Sequence, residues 1–270
     1  MPHDVQRDAA DRDPVDPRDL LYQYKPAKAP ARLPHQVDLR PICPMVHEQG
    51  NPGTCTAHAI AGAFQFEQRR LELPDFSPSR LFIYYNERAM QHASGHDHGP
   101  NLRAGLKAVV KYGVCPEKLW PYSQKPSEIA TKPPAEAYRV AKKNKIVAYH
   151  RIEMGQRSAG AFLQLMKCCL AEGCPFLFAF HYHESFENPG VGKNGQMPAP
   201  KPHDKFKHWH AVMAVGYNDP SKHVVVRNSW GWSWGDKGYF FMPYDLIVDP
   251  ERTADFWTIR GVTSSAELED

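Results

Sequence analysis

The 270-residue chain has no apolar run long enough to cross a bilayer, and its N-terminus lacks the apolar core of a signal peptide. Membrane insertion is therefore not expected. An excess of one charge is missing too: 33 Lys and Arg face 30 Asp and Glu, a net charge of +3. Such a balance gives no field for a polyanion, and with no basic arm or nucleic-acid motif no nucleic-acid partner is expected. Nothing repeats internally, which excludes solenoids and propellers. Cysteine is sparse: Cys43, Cys55, Cys115, Cys168, Cys169 and Cys174 are all there are. If one of them is reactive, five remain, two of them adjacent, and a fully paired secreted framework would not look like that. The expected setting is reduced and cytoplasmic, or export after folding without a cleaved signal peptide. Cys168, Cys169 and Cys174 read as small buried apolar residues on or just after a helix.

Metal-ligand sets are also wanting. His92, His96 and His98 have loop spacing open to zinc, and His181 and His183 would share one face of a strand. Neither set has a cysteine at ligand spacing, and His47-Glu48 lacks the second histidine of a zincin motif. No metal and no cofactor are expected.

Proline is plentiful. Its 25 residues imply long irregular connections, as in a loop-rich α+β protein. Residues 1–36 hold six prolines and one sticky patch, Leu20-Leu-Tyr-Gln-Tyr24, and read as an extended segment that is either an idle tail or a strap beside a cleft. Residues 37–140 are helix-rich, with apolar stripes after Cys55, over Ser79–Met90 and over Leu102–Tyr112. Residues 141–270 are strand-rich: Lys145–Tyr149, Pro175–Tyr182, His210–Tyr217, His223–Arg227, Gly238–Met242 and Phe256–Arg260. A single helix, Ala159–Ala171, interrupts them and stops at Gly173. The Gly/Pro/Lys stretch from Glu187 to Pro202 reads as a loop, either a plain connection or a cleft wall.

Chemistry concentrates in Gln49-Gly-Asn-Pro-Gly-Thr-Cys55, answered far downstream by His210 and by Asn228-Ser-Trp-Gly231. Acyl transfer by a thiol needs a cysteine held as thiolate, an imidazole, a group to orient it and donors for the oxyanion. Cys55, His210, Asn228 and Gln49 are one candidate for each. The turn before Cys55 and the helical pattern after it place the thiol at a helix N-terminus, which favours a thiolate. His210 begins an apolar strand, with His208 expected just outside it. The chain turns at Asn218–Ser221 and returns through His223–Arg227, bringing Asn228 beside His210. Trp230, Trp232 and Trp234 are expected to roof that pair against water.

The chain resembles the papain-like cysteine peptidases, in particular a bacterial branch with a short N-terminal extension. The likeness runs from Val37-Asp-Leu-Arg40 through Gly50–Cys55, Pro78–Asn86, Tyr112-Gly-Val-Cys-Pro116 and Trp120-Pro-Tyr122 to His210-Ala-Val and Asn228–Gly235. It implies an α+β fold of two lobes, a helical lobe carrying Cys55 and a β-barrel-like lobe carrying His210 and Asn228, with the site in the cleft between them. It also implies Cys55 as nucleophile, His210 as acid–base partner, Asn228 as orienter and Gln49 in the oxyanion hole. The substrate would be held by Gly99, Pro100, Asn101 and Leu102 on one side, and by Ala179, Ala211 and Trp230 on the other. Four positions depart from the family's usual pattern: Pro52 stands for a disulfide-bonded cysteine, Thr56 for an aromatic residue, Trp209 for a small or acidic one, and Pro100 for the second glycine of a substrate-binding pair. Only 36 residues precede Val37, so no long inhibitory pro-region is expected.

The function these readings imply is a monomeric cysteine endopeptidase that hydrolyses peptides or proteins through a thiolate–imidazolium pair and a thioester. The alternatives are an acyl transferase or peptide ligase built on the same site, and a non-catalytic binding protein of the same fold.

Overall fold

Helices gather first, where apolar residues recur at helical spacing. α1 spans Cys55–Arg70, α2 Arg80–Met90 and α3 Leu102–Tyr112. The computed structural model describes residues 12–24, 33–91, 99–201 and 203–265. The loop histidines His92, His96 and His98 lie outside them. Side-chain caps start two of the helices: Ser79 Oγ accepts from the Phe82 N–H, and Asn101 Oδ1 from the Ala104 N–H. α1 is buried from Cys55 through Gln68, so it is a central helix and not a half-wet one. Its side chains share one core with Ala211, Met213, Val215, Trp257 and Ile259 of the sheet. α3 ends at Gly113, where φ is +80°, and a Cβ there would stand 1.8 Å from the Ala141 carbonyl oxygen. Two short helices, α4 (Pro126–Ala130) and α5 (Ala135–Ala141), follow.

The sheet is wholly antiparallel. Its strands are β1 (Gln36–Asp38), β2 (Ile146–Arg151), β3 (Phe176–His183), β4 (Phe206–Asn218), β5 (His223–Arg227), β6 (Tyr239–Pro243) and β7 (Thr253–Val262). They run in the order β2-β7-β3-β4-β5-β6, with β1 pairing the end of β4. Alternation sorts each strand between two cores. Phe176, Phe178 and Phe180 of β3 face a core closed by α6 (Ala159–Ala171), while Leu177 joins the core shared with α1. The expected strand positions hold, and several strands extend further. β4 begins at Phe206, so His208 lies inside the strand, held there by pairing of Phe206 with His183.

The stretch expected to be a loop contains α7 (Pro189–Asn194), capped by Asn188, and Gln196 then bridges to Phe241 of β6. It is pinned to the sheet. The last helix, α8 (Tyr244–Ile247), leads into β7. All six cysteines are free, and every one but Cys43 is buried.

Residues 12–24 of the N-terminal segment pack on the body. Leu20 and Tyr22 exchange backbone hydrogen bonds with Arg151 of β2, each 2.8 Å long. Of the patch Leu20–Tyr24 only Tyr22 is buried; Leu20 and Leu21 are exposed. Asp19 bridges Arg103 and Arg151 at 2.5 and 3.2 Å. The carboxylate of Asp13 accepts from the Arg103 N–H at 3.0 Å and from Trp257 Nε1 at 2.6 Å.

Substituting Gly113→Ala forces a side chain into glycine-only backbone space against a carbonyl. Stability is expected to fall by at least about 1–3 kcal/mol from strain alone, measured by denaturant unfolding.

Candidate active site

The turn before α1 is fixed by one phenol. Tyr122 donates its hydroxyl to the Gln49 carbonyl at 2.7 Å and accepts from the Thr54 hydroxyl at 2.7 Å. Both ends of the 49–54 turn are thereby tied, and Cys55 begins the helix. Gln49 is held again through its side chain: Oε1 accepts from Ser229 Oγ at 2.5 Å, and Nε2 donates to the Pro52 carbonyl at 3.1 Å. Ser229 and Tyr122 are functional neighbours that a sequence reading of catalytic types passes over. The signal for both was present, since each lies within a stretch already notable, Asn228–Gly235 and Trp120–Tyr122.

The β4–β5 hairpin brings the second half of the site together. His210 and Asn228 meet with Nε2 and Oδ1 2.8 Å apart, and Asn228 Oδ1 also accepts from the Ser229 N–H at 2.9 Å. An amide oxygen only accepts, so His210 carries its proton on Nε2. Trp230 lies over the imidazole with ring centroids 5.3 Å apart, and Trp234 meets Trp230 edge-on at 4.9 Å. Trp232 is no part of this roof: it is 56% exposed, with the Lys237 ammonium over its ring. Positive φ at Gly231 and Gly235 turns the backbone there, and Trp232 falls on the outer side.

Cys55 and the residue after His210 touch directly. The Ala211 N–H donates to Cys55 Sγ at 3.5 Å. Ala211 is also the cross-strand partner of Ala179, which pairs in turn with Ala254 of β7. Two of the residues expected to line a substrate pocket are therefore adjacent and next to the thiol. Leu102 joins the core that contains Cys55 and Ala211, while Asn101 serves as the cap of α3. Gly99 and Pro100 are buried just before that cap.

Burial governs the charge state here. Cys55 is fully buried, and desolvation pushes its thiol up to about 12, against the pull of the Ala211 N–H. Desolvation pushes His210 down to about 4, although the Asn228 bond works the other way. The helix N-terminus expected to favour a thiolate is outweighed in this closed arrangement, because a charged sulfur inside the protein loses its water. His181 and His183 have separate surroundings: His181 stacks on Trp209 at 5.2 Å, while His183 faces Asp204 at 3.3 Å. Among the described residues no cluster of His, Cys, Asp and Glu is arranged to hold a metal ion.

Residues 12–19 run along the same face. The Arg12 guanidinium lies 5.1 Å from the ring of Trp209, next to His210. Asp13 donates its N–H to Asp255 at 2.9 Å and receives the first-turn N–H of Arg103, one residue past Leu102. A cavity of about 160 Å³ on one side of it is lined by Arg12, Ala254 and Phe256. Another of about 570 Å³ on the other side is lined by Pro14, Asp16, Asn101 and Arg103. The chain's own residues thus occupy the space between Asn101 and Ala254.

A cysteine at a helix start, an imidazole held by an amide on the facing hairpin, and a glutamine amide beside them define a thiol-dependent hydrolase. The sequence profile of the papain family cysteine proteases matches residues 33–247. A peptidase C1-like protein of Acanthamoeba polyphaga mimivirus is 43% identical over 218 residues, covering 80% of this chain and 70% of that protein. Mouse cathepsin K is 26% identical over 223 residues, covering 77% of this chain and 59% of that protein. The crystal structure of xylellain, a cysteine protease from Xylella fastidiosa, superposes with a TM-score of 0.84 at 37% identity, covering 97% of this chain and 98% of that one. The chain belongs to the papain family of cysteine proteases, with the papain-like α+β fold. It is a cysteine peptidase, acting on peptides or proteins, and no helix among its described residues is long and apolar enough to cross a membrane.

Because Tyr122 ties both ends of the 49–54 turn, Tyr122→Phe is expected to lower stability by about 1–3 kcal/mol. A melting temperature unchanged from the parent would contradict this.

Proposed function

We propose that the chain is an endopeptidase in which Cys55 attacks the scissile carbonyl and His210 moves the protons. Asn228 orients the imidazole, and the Gln49 amide with the Cys55 N–H receives the oxyanion. The observation that carries this reading is the His210–Asn228 hydrogen bond of 2.8 Å, on a strand whose next N–H points at Cys55 Sγ. With the proton on Nε2, the imidazole keeps its Nδ1 lone pair for the thiol proton. The imidazolium then protonates the leaving amine. Water, activated by neutral His210, hydrolyses the thioester. Asn101, Leu102, Ala179 and Ala211 form the wall of a pocket for a bulky apolar side chain two residues before the cleaved bond. Gly99 and Pro100 run alongside the substrate backbone, and Trp230 shields the imidazole. The enzyme works as a monomer, without a nucleic-acid partner.

The helix-rich part, residues 37–140, carries the nucleophile; the strand-rich part, 141–270, carries its partners. Within the N-terminal extension, residues 12–24 act as a strap. With the thiol and the imidazole both dry, the proton rests on sulfur, and the ion pair forms when the strap gives way to substrate and water returns. Asp13 is the anchor, since it holds the first turn of α3 and the Trp257 indole at once.

Labelling with an epoxide thiol trap, followed by peptide mapping, tests the site on the full chain and on one starting at Leu33. Cys55 should be labelled alone. His210→Ala should slow peptide hydrolysis by roughly 10²–10⁴-fold, and Asn228→Ala by a smaller factor. The shorter chain and Asp13→Ala should both label faster than the parent. An unlabelled Cys55 in every version would sink the peptidase mechanism, while equal rates would sink the strap alone.

A further inference from the structure

One carboxyl group lies directly beneath the proposed nucleophile and has no part in the mechanism above. Glu87, on α2, is fully buried. Its Oε1 accepts from the hydroxyl of Thr56, the residue following Cys55, at 2.7 Å. Its Oε2 is buried with no hydrogen-bond partner. The pocket around it is tight: a Cβ on Gly105 of α3 would stand 2.5 Å from Oε2 and 2.3 Å from Ile60 Cδ1. Glu87 is thus wedged where α1, α2 and α3 meet, just below the first turn of α1. Thr56 is also where this chain departs from the aromatic residue usual in its family, and its hydroxyl is spent on this acid.

Few charges oppose or support a carboxylate there. From α1 it meets Thr56 and, beyond it, the Cys55 thiol; from α3 it meets glycine. On its own helix the next residue is Arg88, whose guanidinium lies on the Tyr84 ring at 4.1 Å and donates to the Ile129 carbonyl at 2.5 Å. A buried carboxylate with one oxygen unmatched is costly, whereas the neutral acid is much less so. Burial accordingly pushes Glu87 up to about 8, with the Thr56 bond and Arg88 only partly offsetting it. Its ionised form in turn raises the Cys55 thiol.

We propose that Glu87 is a positioning residue for Cys55: as a neutral acid it ties down the turn that carries the thiol, and on ionising it opposes the thiolate. Thr56 gives its hydroxyl to Oε1, which holds the second residue of α1 and with it the Cys55 N–H and Sγ. When the proton leaves Glu87 for bulk base, a negative charge appears under the helix start. The helix end that should favour a thiolate is then partly neutralised. Reactivity therefore carries an alkaline limit belonging to Glu87, in addition to that of the imidazolium. This assignment rests on the proposed role of Cys55.

The sign of the linkage gives a readout that does not need activity. A carboxyl whose folded pKa is raised is protonated in the folded chain and ionised in the unfolded chain between about 4.5 and about 8. Stability contributed by that proton is complete below the lower value and drains away as pH rises to the upper one. Glu87→Gln keeps an acceptor for Thr56 and has nothing to titrate. Its stability relative to the parent should therefore climb between pH 5 and pH 8; a purely structural hydrogen bond would leave the difference flat. In the same full-length proteins, alkylation of Cys55 should run at equal rates at pH 6. Above pH 8 the variant should run ahead by up to about tenfold, the effect of one unit in the thiol pKa.

A flat stability difference together with superimposed alkylation profiles would overturn the assignment. If the parent folds but its Cys55 is never alkylated while the stability difference still climbs, the peptidase mechanism fails and the link from Glu87 to the thiol fails with it. Should Glu87→Gln not fold, infrared spectroscopy of the parent decides. A protonated-carboxyl band present at pH 7 and lost on crossing pH 8 supports the proposal, and its absence at pH 7 refutes it.

Discussion

The site depends on the contact between the first turn of α1 and strand β4, where the Ala211 N–H meets Cys55 Sγ. That contact joins a helix made by local sequence to a strand more than a hundred residues away. The registers of β3, β4, β5 and β7 then become consequences. Ala179 faces Ala211, Phe180 faces His210, and Asn228 follows directly on the last paired residue of β5. A slip of one residue in β4 would exchange His210 and Ala211 between the two cores and dissolve the site. The phenylalanines of β3 hold that register, because they fill one core while Leu177 fills the other.

Desolvation is the second organising constraint. The same packing that fixes Cys55 and His210 also dries them, and drying favours the neutral forms of both. The ion pairs of Asp19 and the hydrogen bonds of Asp13 bring residues 12–24 to that face through buried contacts, an Arg–Asp bridge and a donor from the fully buried Trp257 indole. The proposed strap and the proposed role of Glu87 bear on the same group, the Cys55 thiol.

Much of this was legible early. The stripe after Cys55 is a helix because alanines and aromatics recur on it, and its start is marked by a Pro-Gly turn that cannot continue a helix backwards. Two strands joined by a short turn put Asn228 beside His210. Other features were out of reach for definite reasons. His208 reads as outside its strand because it is polar, yet pairing beyond it extends the strand to Phe206. Trp230 and Trp232 are the same residue type two positions apart, and only the positive φ of Gly231 decides which one covers the imidazole. Glu87 looks like any charged residue of an amphipathic helix until α1 and α3 close over it.

The amino-acid sequence determined which chemistry is present: a cysteine after a turn, a histidine in an apolar strand, an asparagine beyond a hairpin and a glutamine upstream. Those assignments follow from residue type and local periodicity, which act over a few residues. What only the tertiary structure decided is the state of that chemistry. Burial of Cys55, His210 and Glu87 and the ties of Ser229 and Tyr122 to Gln49 all depend on what distant segments bring within a few ångströms. Solvation and hydrogen bonding at those distances are properties of the packed interior, and no local pattern encodes them.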